Sequence, residues 1–258
     1  MPTDPATLAR LAADPTMASL KRSFEVYYGD PARDAAMARL YRRFVPPDSL
    51  AFDIGSHVGD RIAAFRRLGA RVVALEPQPL CARAVRELYR ADPGVTLVEA
   101  ACGPTLGRLT LHINTANPTV STASADFVRA ADGAGGWEGQ VWDRAIEVPV
   151  TTFDALIREH GTPNFAKIDV EGFEADVLAG LTRPIPALSF EFTTIQRGVA
   201  LSCLDRLAAL GFQGFDVALG ESQQLTFGRW VTKAEMAAHI DGLPHAANSG
   251  DVYATARL

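Results

Sequence analysis

Lysine is scarce in this chain. Only Lys21, Lys167 and Lys233 occur among 25 cationic residues, the rest being arginine. The bias is compositional, but it singles out Lys167, which stands beside an acidic cluster. Cysteine is nearly as rare: Cys81, Cys102 and Cys203 have no metal-ligand spacing and cannot all pair, so a reduced, cytoplasmic setting is expected. Long apolar runs are missing too. None reaches the ~18 residues of a membrane span, and the start, Met-Pro-Thr-Asp-Pro, lacks the basic and then apolar pattern of a signal peptide. An excess of positive charge is absent; the formal net charge is −5, which argues against broad electrostatic binding to nucleic acid. Internal repeats are absent. With 258 residues, 48% apolar and 21% charged, what is there reads as a globular protein large enough for a full α/β core.

The pattern divides the chain at about residue 47. Ala6–Ala13, Met17–Phe24 and Ala35–Phe44 carry apolar residues at helical spacing, so residues 1–47 are expected as an N-terminal helical extension. Residues 48–258 are expected as one domain. Ser49–Ile54, Arg71–Leu75 and Val95–Glu99 read as strands, with helices at Val58–Leu68 and Pro79–Tyr89 between them. This β-α-β-α-β alternation predicts a doubly wound, Rossmann-like parallel sheet. Arg108–Asn114 reads as an added strand. Residues 115–145, rich in Ser, Thr, Ala and Gly, are expected as a functional loop, a lid or a disordered segment. Further strands are expected at Ile146–Val150, Asn164–Val170, Ala187–Phe192, Phe212–Leu219 and Asp251–Arg257. Helices are expected at Thr152–Glu159, Glu174–Ala179 and Val199–Leu210, and residues 220–250 form a long insertion with a helix at Lys233–Ile240.

Two segments carry chemistry. Asp53-Ile54-Gly55-Ser56-His57-Val58-Gly59-Asp60 sits where a strand turns into a helix. Glycines there let a ligand approach the backbone. Glu76 ends the next strand, where a carboxylate can accept from both hydroxyls of a ribose. Together they imply an adenosine-type cofactor. The dinucleotide pattern G-x-G-x-x-G is not spelled out, and Asp53 and Asp60 would repel a pyrophosphate. S-adenosylmethionine, with an ammonium and a sulfonium and no phosphate, suits these acids better. The second segment, Lys167-Ile168-Asp169-Val170-Glu171-Gly172-Phe173-Glu174, ends a later strand, so Asp169 and Glu171 should face the same crevice. Such a charged strand tip is costly to bury unless its groups pair or meet a ligand.

These two segments, with Glu76-Pro77 and Val148-Pro149-Val150-Thr151-Thr152-Phe153-Asp154, resemble the signatures of FkbM-type methyltransferases, a class I S-adenosylmethionine-dependent family. The resemblance covers roughly residues 48–258. It implies a sheet of about seven strands with the last antiparallel, and methyl transfer, most often to a hydroxyl of a sugar or natural product. By the same analogy Gly55, Ser56 and Gly59 line the methionine end of the cofactor, Glu76 and Pro77 take the ribose side, and Ala100-Ala101 lie near the adenine. Where the family's loop usually reads Gly-Ala-Asn-x-Gly, this chain has Gly-Ser-His-Val-Gly, so His57 replaces an Asn with a group that titrates near neutrality.

A hydroxyl acceptor needs its proton removed. Asp169 and Glu171 are the expected base or bases, and His57 is a further candidate. With Glu191 at the next strand's end, the same carboxylates would suit Mg²⁺ or a similar hard cation; carboxylate count is the whole motive, and no metal ligands are assigned. His112, on the added strand, is a candidate for the substrate pocket. Trp137 and Trp142 would cover a substrate or anchor their loop. The acceptor is expected to be a small molecule, with no nucleic-acid or membrane partner; homo-oligomerisation stays open. Two other classes remain at this point: a non-catalytic S-adenosylmethionine-binding module and a nicotinamide-dependent oxidoreductase on a similar sheet.

Overall fold

The structure is a computed structural model, described over residues 4–257. Three aspartates begin the N-terminal helical segments in the same way. Asp4, Asp14 and Asp30 each precede a proline, and each side chain accepts backbone N–H groups of the turn it opens. Asp supplies the missing acceptor and Pro the fixed φ of a first helical residue. The results are α1 (Pro5–Ala13), a 3₁₀ turn (Pro15–Leu20) leading into α2 (Lys21–Tyr28), and α3 (Pro31–Tyr41). The single helix expected over Met17–Phe24 is therefore two elements, because the Asp14 cap sets a tight 3₁₀ start.

Then follow β1 (Leu50–Ile54), α4 (Asp60–Arg67), β2 (Arg71–Leu75), α5 (Pro79–Tyr89), β3 (Val95–Val98), β4 (Ala101–Cys102) and β5 (Gly107–Ile113). Next come α6 (Ala125–Ala131), β6 (Arg144–Thr151), α7 (Phe153–His160), β7 (Phe165–Ile168) and α8 (Glu174–Ala179). The chain ends with β8 (Ala187–Thr193), α9 (Arg197–Leu210), β9 (Gly214–Leu219), α10 (Lys233–Gly242) and β10 (Ser249–Thr255). The main sheet has seven strands in the order β3-β2-β1-β7-β8-β10-β9. Its strands run parallel except β10, which is antiparallel to both neighbours. The architecture is the doubly wound sheet with an antiparallel last strand that was expected.

Chain order reverses between β1 and β7, so their carboxyl ends open a crevice where ligands bind in such sheets. Alternation decides which side chains meet there. Phe52, Ile54, Ala166 and Ile168 join one buried cluster; Ala51, Phe165, Ala187 and Tyr253 join the other. The second cluster also holds Leu11, Met17, Leu20, Phe24, Tyr41 and Phe44. The N-terminal helices thus cover one face of the sheet and share its core.

Two expectations need correcting. The strands read at 108–114 and 146–150 do not extend the main sheet; β5 and β6 pair antiparallel, with β4 alongside β6, as a separate three-stranded sheet. Residues 115–145 are not structureless. Ser124 caps α6, and Phe127 packs edge-on against Trp137 and Trp142. That helix is only seven residues long, and its small residues give no clear period. Trp142 donates its Nε1–H to the Val120 carbonyl at 2.8 Å, so both tryptophans anchor the segment.

Candidate active site

The loop after β1 is built by glycines and closed by hydrogen bonds. Gly55 sits at φ +86°. Its N–H and that of Ser56 both donate to the Leu75 carbonyl, at 3.0 and 2.9 Å. A Cβ on Gly55 would lie 1.8 Å from the Asp169 carbonyl oxygen, so no other residue fits where β1 and β7 diverge. Gly59, also at positive φ, packs on the Tyr89 ring. The Tyr89 hydroxyl donates to the Gly59 carbonyl at 2.6 Å, and the Tyr28 hydroxyl to the Val58 carbonyl at 2.7 Å.

Glu76 receives this loop. Its Oε2 accepts the His57 N–H at 2.7 Å and its Oε1 the Gln78 N–H at 2.8 Å. Burial pushes its carboxyl up to about 8, with the two N–H donors working the other way. Each oxygen keeps capacity for another donor. Glu76 forms one wall of a cleft, with Pro77, Ala100, Ala101, Leu111 and Phe173 on the others. Apolar walls with one hydrogen-bonding carboxyl suit a nucleoside-sized ligand.

A second lobe opens beside the first. Gly55, His57, Asp169 and Glu171 line both, but here the wall is charged. Asp53 and Lys167 pair across β1 and β7. Lys167 is 1% exposed, and its Nζ lies 2.9 Å from Asp169 and 2.7 Å from Asp251. Burial works to raise the Asp169 carboxyl, but the Lys167 ammonium, a hydrogen bond with Glu191 and the Arg61 charge together outweigh it and hold the group below the usual range. Asp60 is held low in the same way, burial being outweighed by Arg61 and Arg33 at 2.5 and 2.8 Å. The same two guanidiniums also grip Glu221.

Other acids in this lobe have no such counter-charge. Asp53 Oδ2 is buried without a hydrogen-bond partner; burial and then the Asp60 charge push its pKa up to about 7. Glu171 and Glu191 are raised well above the carboxylate range by burial and by the Asp169 charge. Glu171 is also backbone-strained, at φ +56°, and the Thr122 hydroxyl pins its carbonyl at 2.6 Å. Carboxylate oxygens of Asp169, Glu171 and Glu191 all lie within 4.8 Å of one another. Such a cluster is short of positive charge, and a cationic ligand group would supply it. Glu174 does a different job: its Oε1 accepts the N–H groups of Val170 and Gly172 at 3.1 and 3.3 Å, which shapes the loop carrying Glu171.

His57 is locked. Its Nε2 lies 2.8 Å from the Ser23 hydroxyl and 3.3 Å from that of Thr119, and its Nδ1 lies 3.4 Å from Cys81 Sγ. Burial lowers its pKa to about 4, so the ring is neutral. It ties the cofactor-type loop to α2 and to the turn at Pro118–Val120.

Asp53, Gly55, Ser56, His57, Glu76, Pro77, Ala100, Ala101, Asp169 and Glu171 all line one lobe or both. Gly59 lines neither; its φ and its contact with Tyr89 account for it. His112 lines neither lobe, whereas its neighbour Leu111 does, because side chains alternate along β5. Tyr27, Arg61, Thr119 and Glu221 line the acidic lobe but lie outside the motifs, and no local pattern in the sequence marks them.

Residues 53–213 match the family described as "Methyltransferase FkbM domain". The chain belongs to the FkbM methyltransferase family. This confirms the resemblance read from the motifs. One curated relative is the hexuronic acid methyltransferase AglP of Haloferax volcanii, 27% identical over 165 residues. The match spans 62% of this chain and 62% of that protein. Among solved structures, a TehB-like S-adenosylmethionine-dependent methyltransferase from Corynebacterium glutamicum has a TM-score of 0.48 at 10% identity, covering 98% of this chain and 99% of that one. A Thiobacillus denitrificans methyltransferase in complex with S-adenosylhomocysteine has a TM-score of 0.43 at 10% identity, covering 92% and 98%. Among the described residues, no helix is long and apolar enough to cross a membrane.

Proposed function

We propose that this FkbM-family methyltransferase methylates a hydroxyl on a sugar or a sugar-like natural product. The observation that carries the reading is the meeting of an apolar, Glu76-walled lobe with an acidic one at Gly55 and Asp169. The sugar acceptor draws support from the hexuronic acid methyltransferase relative.

In this reading the residues fit S-adenosylmethionine. Glu76 takes the ribose hydroxyls on its two remaining acceptor positions, and Pro77, Ala100 and Ala101 flank the adenine side. Asp53, with its unpartnered Oδ2, takes the ammonium, and Gly55 and Ser56 border the methionyl end. The cofactor supplies an electrophilic methyl group on a sulfonium. Most of the rate then comes from aligning the acceptor oxygen with that methyl. Asp169, held ionised by Lys167, accepts a hydrogen bond from the acceptor hydroxyl. Glu171 removes the proton: its raised pKa makes it the stronger base, and positive charge entering the lobe favours its ionised form. His57, with both ring nitrogens engaged, positions the loop, Ser23 and Thr119 around the acceptor.

Calorimetric titration with S-adenosylhomocysteine, S-adenosylmethionine and NAD in parallel tests the cofactor. Micromolar binding of the first two and none of NAD is expected; binding of NAD alone overturns the reading. Methyl transfer from labelled S-adenosylmethionine to hydroxyl-bearing sugars, and none to their amino counterparts, is expected. Cofactor binding with no transfer to any sugar would instead favour a non-catalytic binding module.

A further inference from the structure

A third, open groove lies outside the acidic lobe, between α2 and the segment at 116–140. Tyr27 and Thr119 line both, so the two communicate. Their chemistry is opposite. The inner lobe is lined by Asp53, Asp60, Asp169, Glu171, Glu191 and Glu221. The outer groove has no acidic lining residue and one cation, Arg22. Arg61 and Lys167, the cations of the inner lobe, are committed to carboxylates. Arg22 has no ion pair or hydrogen bond among the described residues.

The rest of the groove offers what a sugar ring uses. Val26 is 47% exposed, one of few large apolar side chains left so, and stands next to Tyr27 at the entrance to the inner lobe. Together they present apolar and aromatic surface; Arg33 lies over one face of the Tyr27 ring, 4.9 Å from its centroid, and leaves the other side to the groove. Opposite, Gln140 Oε1 accepts from Asn114 at 2.8 Å and Asn117 at 3.1 Å. This leaves the Gln140 amide N–H groups and Asn117 Oδ1 open to ring hydroxyls. The Tyr27 hydroxyl makes no hydrogen bond among the described residues, and burial, then the Asp60 charge, keeps it protonated, so it remains a donor.

We propose that this groove is the acceptor subsite and that it selects a sugar carrying a carboxylate, with Arg22 taking the carboxylate and Val26 and Tyr27 the ring face. The placement keeps the acceptor's negative charge away from the inner acids, where it would be repelled, while its hydroxyl reaches Asp169 and Glu171 past Tyr27. A guanidinium can hold a carboxylate with two parallel hydrogen bonds. The inference rests on the methyltransferase reading of the inner lobes.

The test uses the full chain saturated with S-adenosylhomocysteine and titrated with D-glucuronic acid or with D-glucose. Glucuronate is expected to bind at least tenfold more tightly. Arg22→Ala should remove that preference, bringing the ratio of the two affinities toward one, and Arg22→Lys should restore part of it. S-adenosylhomocysteine affinity, measured on the same samples, should be equal in all three proteins. A protein that binds S-adenosylhomocysteine but treats glucuronate and glucose alike, or keeps the preference in Arg22→Ala, overturns the carboxylate subsite and leaves the enzyme reading intact. Failure of the wild type to bind S-adenosylhomocysteine overturns the cofactor reading beneath it.

Discussion

The apolar lobe and the acidic lobe share Gly55, His57, Asp169 and Glu171, yet they are held together by different means. Backbone builds the first. Two N–H groups close on the Leu75 carbonyl, two more on Glu76, and no ion pair is needed. Charge builds the second, where Lys167 and Arg61 help hold Asp169 and Asp60 low, while Glu171 and Glu191, without an ion pair of their own among the described residues, are raised by burial and by the Asp169 charge. In the proposed function, ligand recognition follows the same division. A backbone-built lobe is complete before anything binds, whereas an acidic lobe short of cations is completed by a positively charged ligand.

Several changes would sharpen or break that contrast. The largest effect is expected from Gly55→Ala, where the new methyl meets the Asp169 carbonyl at both lobes' common edge. A loss of about 4 kcal/mol or more is expected in denaturant unfolding; a variant of near-native stability would mean that the loop is not backbone-determined. Lys167→Met should follow, costing about 3–5 kcal/mol, because Asp169 and Asp251 lose a buried partner. A loss below about 1 kcal/mol would show that the acids simply take up protons and that charge does not hold the lobe.

Asp169→Asn should lower turnover by about 10²-fold with little change in S-adenosylhomocysteine affinity. Equal losses of both would move Asp169 from the chemistry to the cofactor. Glu76→Ala should do the opposite, weakening cofactor binding by about 1–3 kcal/mol in calorimetry while saturated turnover falls less. If both variants lose binding alone, the two lobes are one cofactor site.

The smallest effect concerns pH. Asp53, Glu76 and Glu174 have folded-state values pushed to about 7, about 8 and about 7, chiefly by burial. Raised carboxyls favour the fold while protonated. Their contribution is complete below about pH 4 and is lost as pH rises through about 7 to 8. Asp60 and Asp169, held low, contribute in the opposite sense, above about pH 4. The thermal midpoint of the ligand-free protein should therefore fall from about pH 6 to about pH 9. Binding a cation favours the ionised acids and expels protons, so S-adenosylmethionine affinity should rise several-fold over the same range. The uncharged thioether of S-adenosylhomocysteine should respond less. Equal pH slopes for the two would mean that the sulfonium is not what the acidic lobe reads.

Much of the sheet was legible because β1, β2, β7 and β8 are buried runs ending in turn residues, and period and length suffice to read such strands. The two motifs were legible because a strand tip that must bend, approach a ligand or bury charge admits few residue types. Residues 115–145 resisted for the opposite reason: α6 owes its existence to the Ser124 cap and to Phe127 packing between two tryptophans, contacts made across tens of residues. The roles of Glu174 and His57 were illegible as well. Glu174 reads as one more acid in a cluster until its two backbone donors are seen, and His57 reads as a candidate base or a cofactor or backbone contact, with nothing local to show that Ser23, Thr119 and Cys81 surround it.

By itself the sequence determined the doubly wound sheet, its crevice and the residues of the glycine loop and the Lys167–Glu174 segment, because these follow from local rules of periodicity, turn geometry and charge burial. Only the tertiary structure decided which acids are ionised, that the N-terminal helices share the core, and that Tyr27 and Arg22 stand before the site. Those outcomes depend on partners distant in the chain, such as Asp251 on Lys167 and Glu221 on Arg61, and the energy of a buried charge is set by what surrounds it in space.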